Sequence, residues 1–401
     1  MKISTGHATG SDVRSAVNSA LDQVDRGDIK PKLYIFSCTV SYDLDQVYQA
    51  IKDRVGDTPF QGGTSSGGIM TEKGWNTDPN QQAIGIIAFS DETAEFGIGS
   101  APKGEDPRAA GKQALINAIA VAGREGEIPD AIWFVGSPGG EEDVIEGIND
   151  VAGKNIPLQG GSSADNTIEG HWRQFTNEGV FENHVTLVAF FLEDQNVSRA
   201  FHSGYEASKH GGTVTKADGR VLYEIDGKNA ADVYNEWTGG AITEAIESQG
   251  NILALSNLFP IGRQMGLVGT MPYYLLSHPE TVTVDKAITL FTNVQEGDQL
   301  ICMQGTVDDL VDRAGNVAAA ALERAEIRPE NIEGALVIFC AGCMMTVGDR
   351  MHEAVENIKK ALHGKPFFGM CTFGEQGSLA GGENMHGNLM ISTLVFSNKK
   401  D

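Results

Sequence analysis

One block of sequence occurs three times, and it constrains the fold more than anything else in the chain. Between Gly334 and Gly377 a continuous apolar run, an amphipathic stretch and a second short apolar run follow one another, ending in a glycine turn. That order reads as strand, tight turn, helix, strand. The same construction appears at Lys32 to Cys38 (KLYIFSC), Leu44 to Val55 and Thr58 to Gly68, where Leu44, Val47, Tyr48, Ile51 and Val55 keep helical spacing. It appears again at Ala131 to Gly136 (AIWFVG), Glu141 to Ala152 and Ile156 to Ser163. Phe36 to Gly62 spans 26 residues, Phe134 to Gly160 spans 26, and Phe339 to Gly369 spans 30, the added length lying in the turn after the strand. Gly62-Gly-Thr-Ser thus corresponds to Gly369-Met-Cys-Thr. A fixed spacing carrying one order of elements is the mark of duplication.

The flanks repeat as well. A strand Ala83 to Phe89, a strand Ala94 to Gly99 and a helix Ala109 to Ala122 precede the second copy; Ala287 to Phe291, Gln299 to Met303 and Leu310 to Ala325 precede the third. Val185 to Phe191 and Leu389 to Phe396 follow them. At the start, Ile3 to Ala8 reads as an edge strand, and Ser11 or Asp12 caps a helix with Val13, Ala16, Val17, Ala20, Leu21 and Val24 on one face. The expected fold is α/β: two related halves of duplicated strand–helix–strand units, with mixed sheets covered by helices and a ligand pocket between the halves. The second half is expected at about 287–401, after an insert over 200–286. That insert reads as a strand pair (Ala200 to Gly204, Gly212 to Ala217), a helix (Glu236 to Ile246) and a glycine- and proline-marked stretch (Asn257 to Pro279).

Charge narrows the partners. With 30 basic and 54 acidic residues the net charge is −24, which repels phosphate backbones and anionic lipid. Nucleic acid and membrane insertion are not expected: no apolar run approaches the ~20 residues of a membrane span. The first residues, MKISTGHATGSD, lack the apolar core of a signal peptide. Five cysteines, an odd number, do not form a disulfide framework, and the cytoplasm is the expected compartment.

Within this pattern stand Gly62-Gly-Thr-Ser-Ser-Gly67, its echo Gly160-Gly-Ser-Ser-Ala-Asp165, Phe339-Cys-Ala-Gly342, Phe373-Gly-Glu375 and His386-Gly-Asn388. In this ordered set the chain resembles the FIST domain family of sensory proteins. The resemblance places an N-terminal domain at 1–205 and a C-terminal domain at 206–401. It implies an intracellular sensor that recognises an amino-acid-like metabolite or small organic acid. Related proteins often fuse the module to signalling output domains, for which this chain has no room, so a separate signalling protein is the expected partner unless the chain does something else. For some members it also implies haem binding and a response to nitric oxide. Two departures bear on the ligand. Where the family has an arginine soon after Cys-Ala-Gly, this chain has Cys343, and its usual tyrosine-to-arginine strand is replaced around Tyr273 to His278. Arg173 and Arg263 remain to meet a carboxylate.

The residues themselves offer several chemistries. Glycine at 62–68 permits backbone N–H groups to converge on an anion, so Gly63, Thr64, Ser65, Ser66, Ser162 and Ser163 are candidate ligand contacts; a strand-end packing turn is the plain alternative. Cys340 and Cys343 have CxxC spacing near a helix start, where a thiol pKa falls, and Cys371 ends the matching strand. With His386 or His352 these thiols match a zinc or iron–sulfur set, yet only one close pair exists, so packing is preferred and no metal is assigned. Glu375 with His386, beside Cys371 and Cys340, would resemble a cysteine hydrolase if the protein is an enzyme. His171 and Arg173 form a polar cluster around Trp172. His171, His202, His210 and His386 are the candidate axial ligands if haem binds. The reading preferred is a small-molecule binding module, with ligand contacts from Gly63, Thr64, Ser65, Ser66, Ser162, Ser163, His171, Arg173, Arg263, Cys340, Cys371, Glu375 and His386.

Overall fold

The computed structural model describes residues 1–24, 30–268, 270–379 and 382–399. Residue 269, inside the stretch expected to be glycine- and proline-marked, lies outside them.

Three units follow one another. The first runs β1 (Lys2–Thr9), α1 (Val13–Val24), β2 (Leu33–Cys38), α2 (Leu44–Val55), β3 (Phe60–Thr64), a hairpin of β4 (Ile69–Thr71) and β5 (Gly74–Asn76), and β6 (Ala83–Ser90). The second repeats that order as β7 (Glu95–Pro102), α3 (Pro107–Val121), β8 (Ala131–Gly136), α4 (Glu141–Ala152), β9 (Leu158–Ser162), the hairpin β10 (Gln174–Thr176) and β11 (Gly179–Phe181), and β12 (His184–Phe191). The third begins with β13 (Gln195–His202) and is then interrupted.

The interruption holds β14 (Glu206–Asp218), β15 (Val221–Ile225), β16 (Lys228–Asn229), α5 (Ala230–Trp237), α6 (Thr243–Ser248), α7 (Leu253–Ser256), β17 (Ile261–Val268), β18 (Met271–Ser277), β19 (Pro279–Val282), β20 (Ile288–Leu290) and β21 (Gln299–Gln304). Its strands make one sheet in the order β18-β17-β21-β14-β15-β20-β19, with β16 on β15. The third unit resumes with α8 (Val307–Arg324), β22 (Ile332–Cys340), α9 (Ala341–Val347), α10 (Met351–Ala361), β23 (Phe367–Thr372), the hairpin β24 (Glu375–Ser378) and β25 (Asn384–Gly387), and β26 (Ile391–Asn398).

The periodicities act as expected locally. The Asp12 side chain caps α1 by accepting from Ser15 N–H at 2.6 Å, and Val13, Ala16, Val17, Ala20, Leu21 and Val24 are its buried face. Asp43 caps α2, and Gly56 at φ 62° stops it. Strands β2 and β8 are buried along their whole length, as a strand covered on both faces must be.

The units exchange their hairpins in a ring. The first sheet is ordered β1-β6-β2-β3-β10-β11, so its last two strands come from the second unit. The second sheet ends in β24 and β25 from the third unit, and the third sheet ends in β4 and β5 from the first. At the crossing the three strand ends meet in a cycle of backbone hydrogen bonds. Ala164 N–H donates to Thr64 C=O at 2.9 Å, Phe373 N–H to Ser162 C=O at 3.0 Å, and Ser66 N–H to Cys371 C=O at 3.1 Å. The inner faces of all three sheets form one core, in which Phe89, Phe190 and Phe396 stack with centroids 5.7, 5.3 and 5.2 Å apart. Helices cover the outer faces, α1 and α2 on the first sheet and α3 and α4 on the second.

The chain is thus α/β, with mixed sheets covered by helices. Two units stand in the N-terminal half, and the third, with its inserted sheet, stands in the C-terminal half. Several expectations are corrected. Ala200 to Gly204 does not pair with Gly212 to Ala217, because β13 pairs with β26 and completes the third unit. Residues 287–291 and 299–303 belong to the inserted sheet and are no counterpart of β6 and β7. Glu236 to Ile246 is broken at Gly239 and Gly240, both at positive φ, between α5 and α6. Phe36 pairs with Gly62 and Phe134 with Gly160, but Gly369 pairs with Val337, not Phe339. The added residues of the third copy form α9.

Candidate functional site

A hollow of about 780 Å³ lies where the N-terminal half meets the inserted sheet and the third unit. The loop before α4 and the loop after β9 form one wall. The turn between β14 and β15, helix α7, and the ends of β22 and β23 form the others. Trp172 and Phe373 meet edge to face on it, centroids 5.9 Å apart at 89°.

The loop after β9 is held open by Asp165. Its buried carboxylate accepts from the N–H groups of Thr167, Ile168, Glu169 and His171. Ile168 consequently stands at φ 60°, a conformation a β-branched residue adopts at a cost of about 1–3 kcal/mol, and its side chain faces the cavity. Lys103, also buried, fixes the opposite loop by donating to the carbonyls of Ser137, Pro138 and Gly139 at 3.2, 2.6 and 2.8 Å.

Charge on the wall is concentrated at the start of α4. Glu141, 2 % exposed, accepts from Gly139 N–H at 2.8 Å, Ser162 Oγ at 2.9 Å and Arg220 Nη2 at 2.7 Å. The same Arg220 nitrogen lies 2.7 Å from Glu142, and His386 Nε2 lies 3.8 Å from Glu141. Burial works to raise the Glu141 carboxyl, but the His386 imidazole and the Arg220 guanidinium hold it down at about 2. Glu141, Glu142 and His386 could together ligate a metal ion. The guanidinium already supplies the positive charge there, so we assign no metal.

His278, 5 % exposed, donates or accepts through Nε2 at 3.0 Å from the Leu253 carbonyl; since a carbonyl only accepts, the proton is on Nε2. Burial lowers its pKa from 6.5 to about 4. The folded protein therefore holds a neutral imidazole, while the unfolded chain takes up a proton below pH 6.5. Stability from this group is complete above pH 6.5 and declines by about 3 kcal/mol as pH falls to 4. Replacing His278 with Gln should flatten the stability–pH curve across that window. Denaturant titrations at pH 7 and pH 4.5 giving the same difference in both proteins would refute the assignment.

The residues singled out from sequence scatter in instructive ways. Cys340 lines the cavity. Thr64, Ser65, Ser66, Ser162 and Ser163 are at the strand-end ring, buried, and do not line it. The glycine turn presents no free N–H to an anion: those of Thr64, Ser65, Ser66, Gly67 and Gly68 donate to Arg173 O, Cys38 O, Cys371 O, Asn166 Oδ1 and Ser66 O. Its glycines serve close packing instead. A Cβ on Gly63 would lie 2.4 Å from Val135 and 2.7 Å from Ser163 Oγ.

The chemistry expected around Glu375 is arranged differently. Its carboxylate accepts from Thr372 Oγ1, Gly374 N–H and Met390 N–H, and does not orient His386, whose ring meets Gln376 Nε2 at 3.0 Å and Phe291 O at 3.2 Å. Burial raises the pKa of Glu375 and of Cys371. Cys340, Cys343 and Cys371 are buried in one core, but among the described residues their sulfurs form no set close enough to hold a metal. Beside them is buried Arg313, whose guanidinium lies over Tyr205 and Phe339. Against the effect of burial, contact with Cys340 and Arg313 lowers the Cys343 pKa. Arg263 pairs with Asp298 at 3.3 Å and Arg173 with Glu182 at 2.9 Å, and neither lines the cavity. His171 is exposed beside Glu169.

The haem that the family resemblance implies does not fit these residues. His171, His202, His210 and His386 do not line the cavity, and both ring nitrogens of His386 are engaged. His278, the imidazole that does line it, gives its Nε2 to Leu253 and keeps only Nδ1, so among the described residues the wall offers a single imidazole nitrogen and no second axial histidine.

Sequence reasoning missed Glu141, Arg220, Asn257, His278 and Asn388 on this wall. Glu141 had a signal, as an acid opening a helix directly after two glycines. Asn257 had none, because only the fold brings α7 opposite β22.

Taken together, fold and cavity define an α/β protein of internally repeated units with a hollow at the meeting of its halves. The chain belongs to the FIST family: the FIST N domain matches residues 32–228 and the FIST C domain residues 230–378. FIST domains are sensor domains of signal transduction. No curated protein matches the chain in sequence. Among solved structures, a cyanuric acid hydrolase is similar with a TM-score of 0.40 and 7% identity over 99% of each chain. A cyanuric acid hydrolase from A. caulinodans has 0.30 and 10%, covering 57% of this chain and 84% of its own. T. maritima PurL complexed with AMPPCP has 0.22 and 11%, covering 99% and 73%. Likenesses this low carry no argument about this chain.

Proposed function

We propose that this protein is a sensory binding protein that takes a small metabolite into the cavity between its halves. One observation carries the reading: the cavity wall holds a buried hydrogen-bonding atom, Asn257 Oδ1, that has no partner among the described residues. A buried polar atom without a partner costs about 1–3 kcal/mol, so it is retained where something else satisfies it. The strained Ile168 at the mouth points the same way.

The resemblance implies an amino-acid-like molecule or small acid as ligand, but the guanidinium on the wall, Arg220, is already shared by Glu141 and Glu142. Of the residues expected to bind, Cys340 is at the wall. Glu375 and His386 act on it through Thr372 and Glu141, and Ser162 acts through its bond to Glu141. The division into 1–205 and 206–401 belongs to the same proposal, as does a separate signalling partner. Among the described residues no helix is long and apolar enough to cross a membrane. Five free cysteines agree with a cytoplasmic setting, which is likewise proposed.

A thermal-shift screen of metabolites tests it, because binding to the native state alone raises the melting temperature. Hits should shift the protein, and Trp172→Ala should weaken them at least about tenfold, the loss of a buried aromatic contact. A library with no stabilising member, or hits indifferent to Trp172→Ala, would overturn the reading.

A further inference from the structure

We infer that the cavity selects an uncharged ligand: a carboxamide or lactam edge carried on an aromatic or branched apolar body. This rests on the reading of the cavity as the binding site and narrows its ligand.

The wall's charges are already spent on one another. Glu141 has both oxygens occupied, Glu142 holds Arg220 and the Asn293 N–H at 2.8 Å, and Arg220 is shared by the two carboxylates. A ligand carboxylate would have to draw Arg220 away from both, leaving Glu141 as a buried charge with its strongest partner gone. A ligand ammonium would find no free carboxylate oxygen. The other arginines expected to serve, Arg173 and Arg263, are engaged elsewhere.

What remains unused is neutral and complementary to an amide. Asn257 Oδ1, in a side chain 8 % exposed, accepts nothing. Asn388 Oδ1 accepts from His278 N–H at 3.2 Å, and among the described residues its Nδ2 has no hydrogen-bond acceptor. With His278 Nε2–H given to Leu253, its Nδ1 is left as an acceptor. The wall thus offers one donor and two acceptors, which match the C=O and N–H of a primary amide or a lactam. Around them Trp172, Leu253, Phe291, Met345 and Phe373 make an apolar, largely aromatic lining.

Three isosteric probes separate the possibilities: benzamide, benzoate and benzylamine, titrated calorimetrically into the full chain at pH 7.5. Benzamide should bind at least about tenfold more tightly than either charged probe, the ratio expected when a buried group must be left unpaired. Asn257→Leu and Asn388→Leu should each weaken benzamide about tenfold and leave the ranking of the charged probes unchanged. Benzoate or benzylamine binding as tightly as benzamide overturns the inference, as does the absence of binding by all three. The ranking on the unaltered protein decides even where a variant does not fold. If the inference fails while metabolite hits still depend on Trp172, the cavity remains the binding site; if no hit depends on Trp172, the functional reading itself has failed.

Discussion

Phe396→Ala should destabilise the protein by about 3–5 kcal/mol, the usual cost of deleting a fully buried phenylalanine. The side chain is 0 % exposed, and its ring touches Phe89 and Phe190, each contributed by a different sheet. The hole cannot collapse, because the three sheets are tied together by exchanged hairpins and cannot close on it independently. Phe89→Ala and Phe190→Ala should cost similar amounts. A pair of substitutions should cost less than the sum, since the first removes contacts the second would have lost. Urea unfolding measures all of these; a loss below about 1 kcal/mol for Phe396→Ala would show that the trio is not the shared centre of the core.

Arg220→Ala should be the second large effect, about 3–5 kcal/mol at neutral pH, because it leaves Glu141 buried with its main positive neighbour gone. The effect is predicted to depend on pH in a defined direction. The folded pKa of Glu141 is depressed to about 2 from 4.5, so its stabilising contribution is present above pH 4.5 and lost as pH falls toward 2. That contribution is about 3 kcal/mol. Once the variant loses the guanidinium, the carboxyl protonates at a higher pH and the variant escapes part of the acid loss. The gap between the two proteins should therefore narrow between pH 7 and pH 3. A gap that stays constant would mean that Arg220 contributes packing and not charge.

The elements of the repeated block were legible because strand and helix spacing are local properties. α4 and β8 run from Glu141 to Ala152 and from Ala131 to Gly136, as their apolar patterns predict. The place of the insert was not legible. β20 and β21 imitate the strands that flank the second copy, and only long-range pairing of β13 with β26 shows that the third unit had already begun. The candidate site was legible in part, through Cys340; around Trp172 the sequence pointed to the flanking His171 and Arg173, which do not line the cavity. The rest depends on tertiary approach: Arg220 lies 79 residues from Glu141, and no spacing rule connects a hairpin turn to a distant helix start. The serines and threonine of the glycine turns were misleading for the opposite reason. Small polar residues were needed there to close a ring of strand ends, which looks in sequence like a loop shaped for a ligand.

Because each sheet borrows its last two strands from a neighbour, no sheet can be finished by its own segment of chain. The second sheet, whose own strands end at residue 191, waits for residues 375–387, whereas the third receives residues 69–76 already made. A nascent chain would thus carry an open edge on its second sheet until residues 375–387 emerge, the condition under which pairing with a second chain competes best. Maturation of this protein should accordingly be sensitive to its concentration during synthesis, and removal of residues 375–387 should be felt in a sheet whose own strands ended at residue 191.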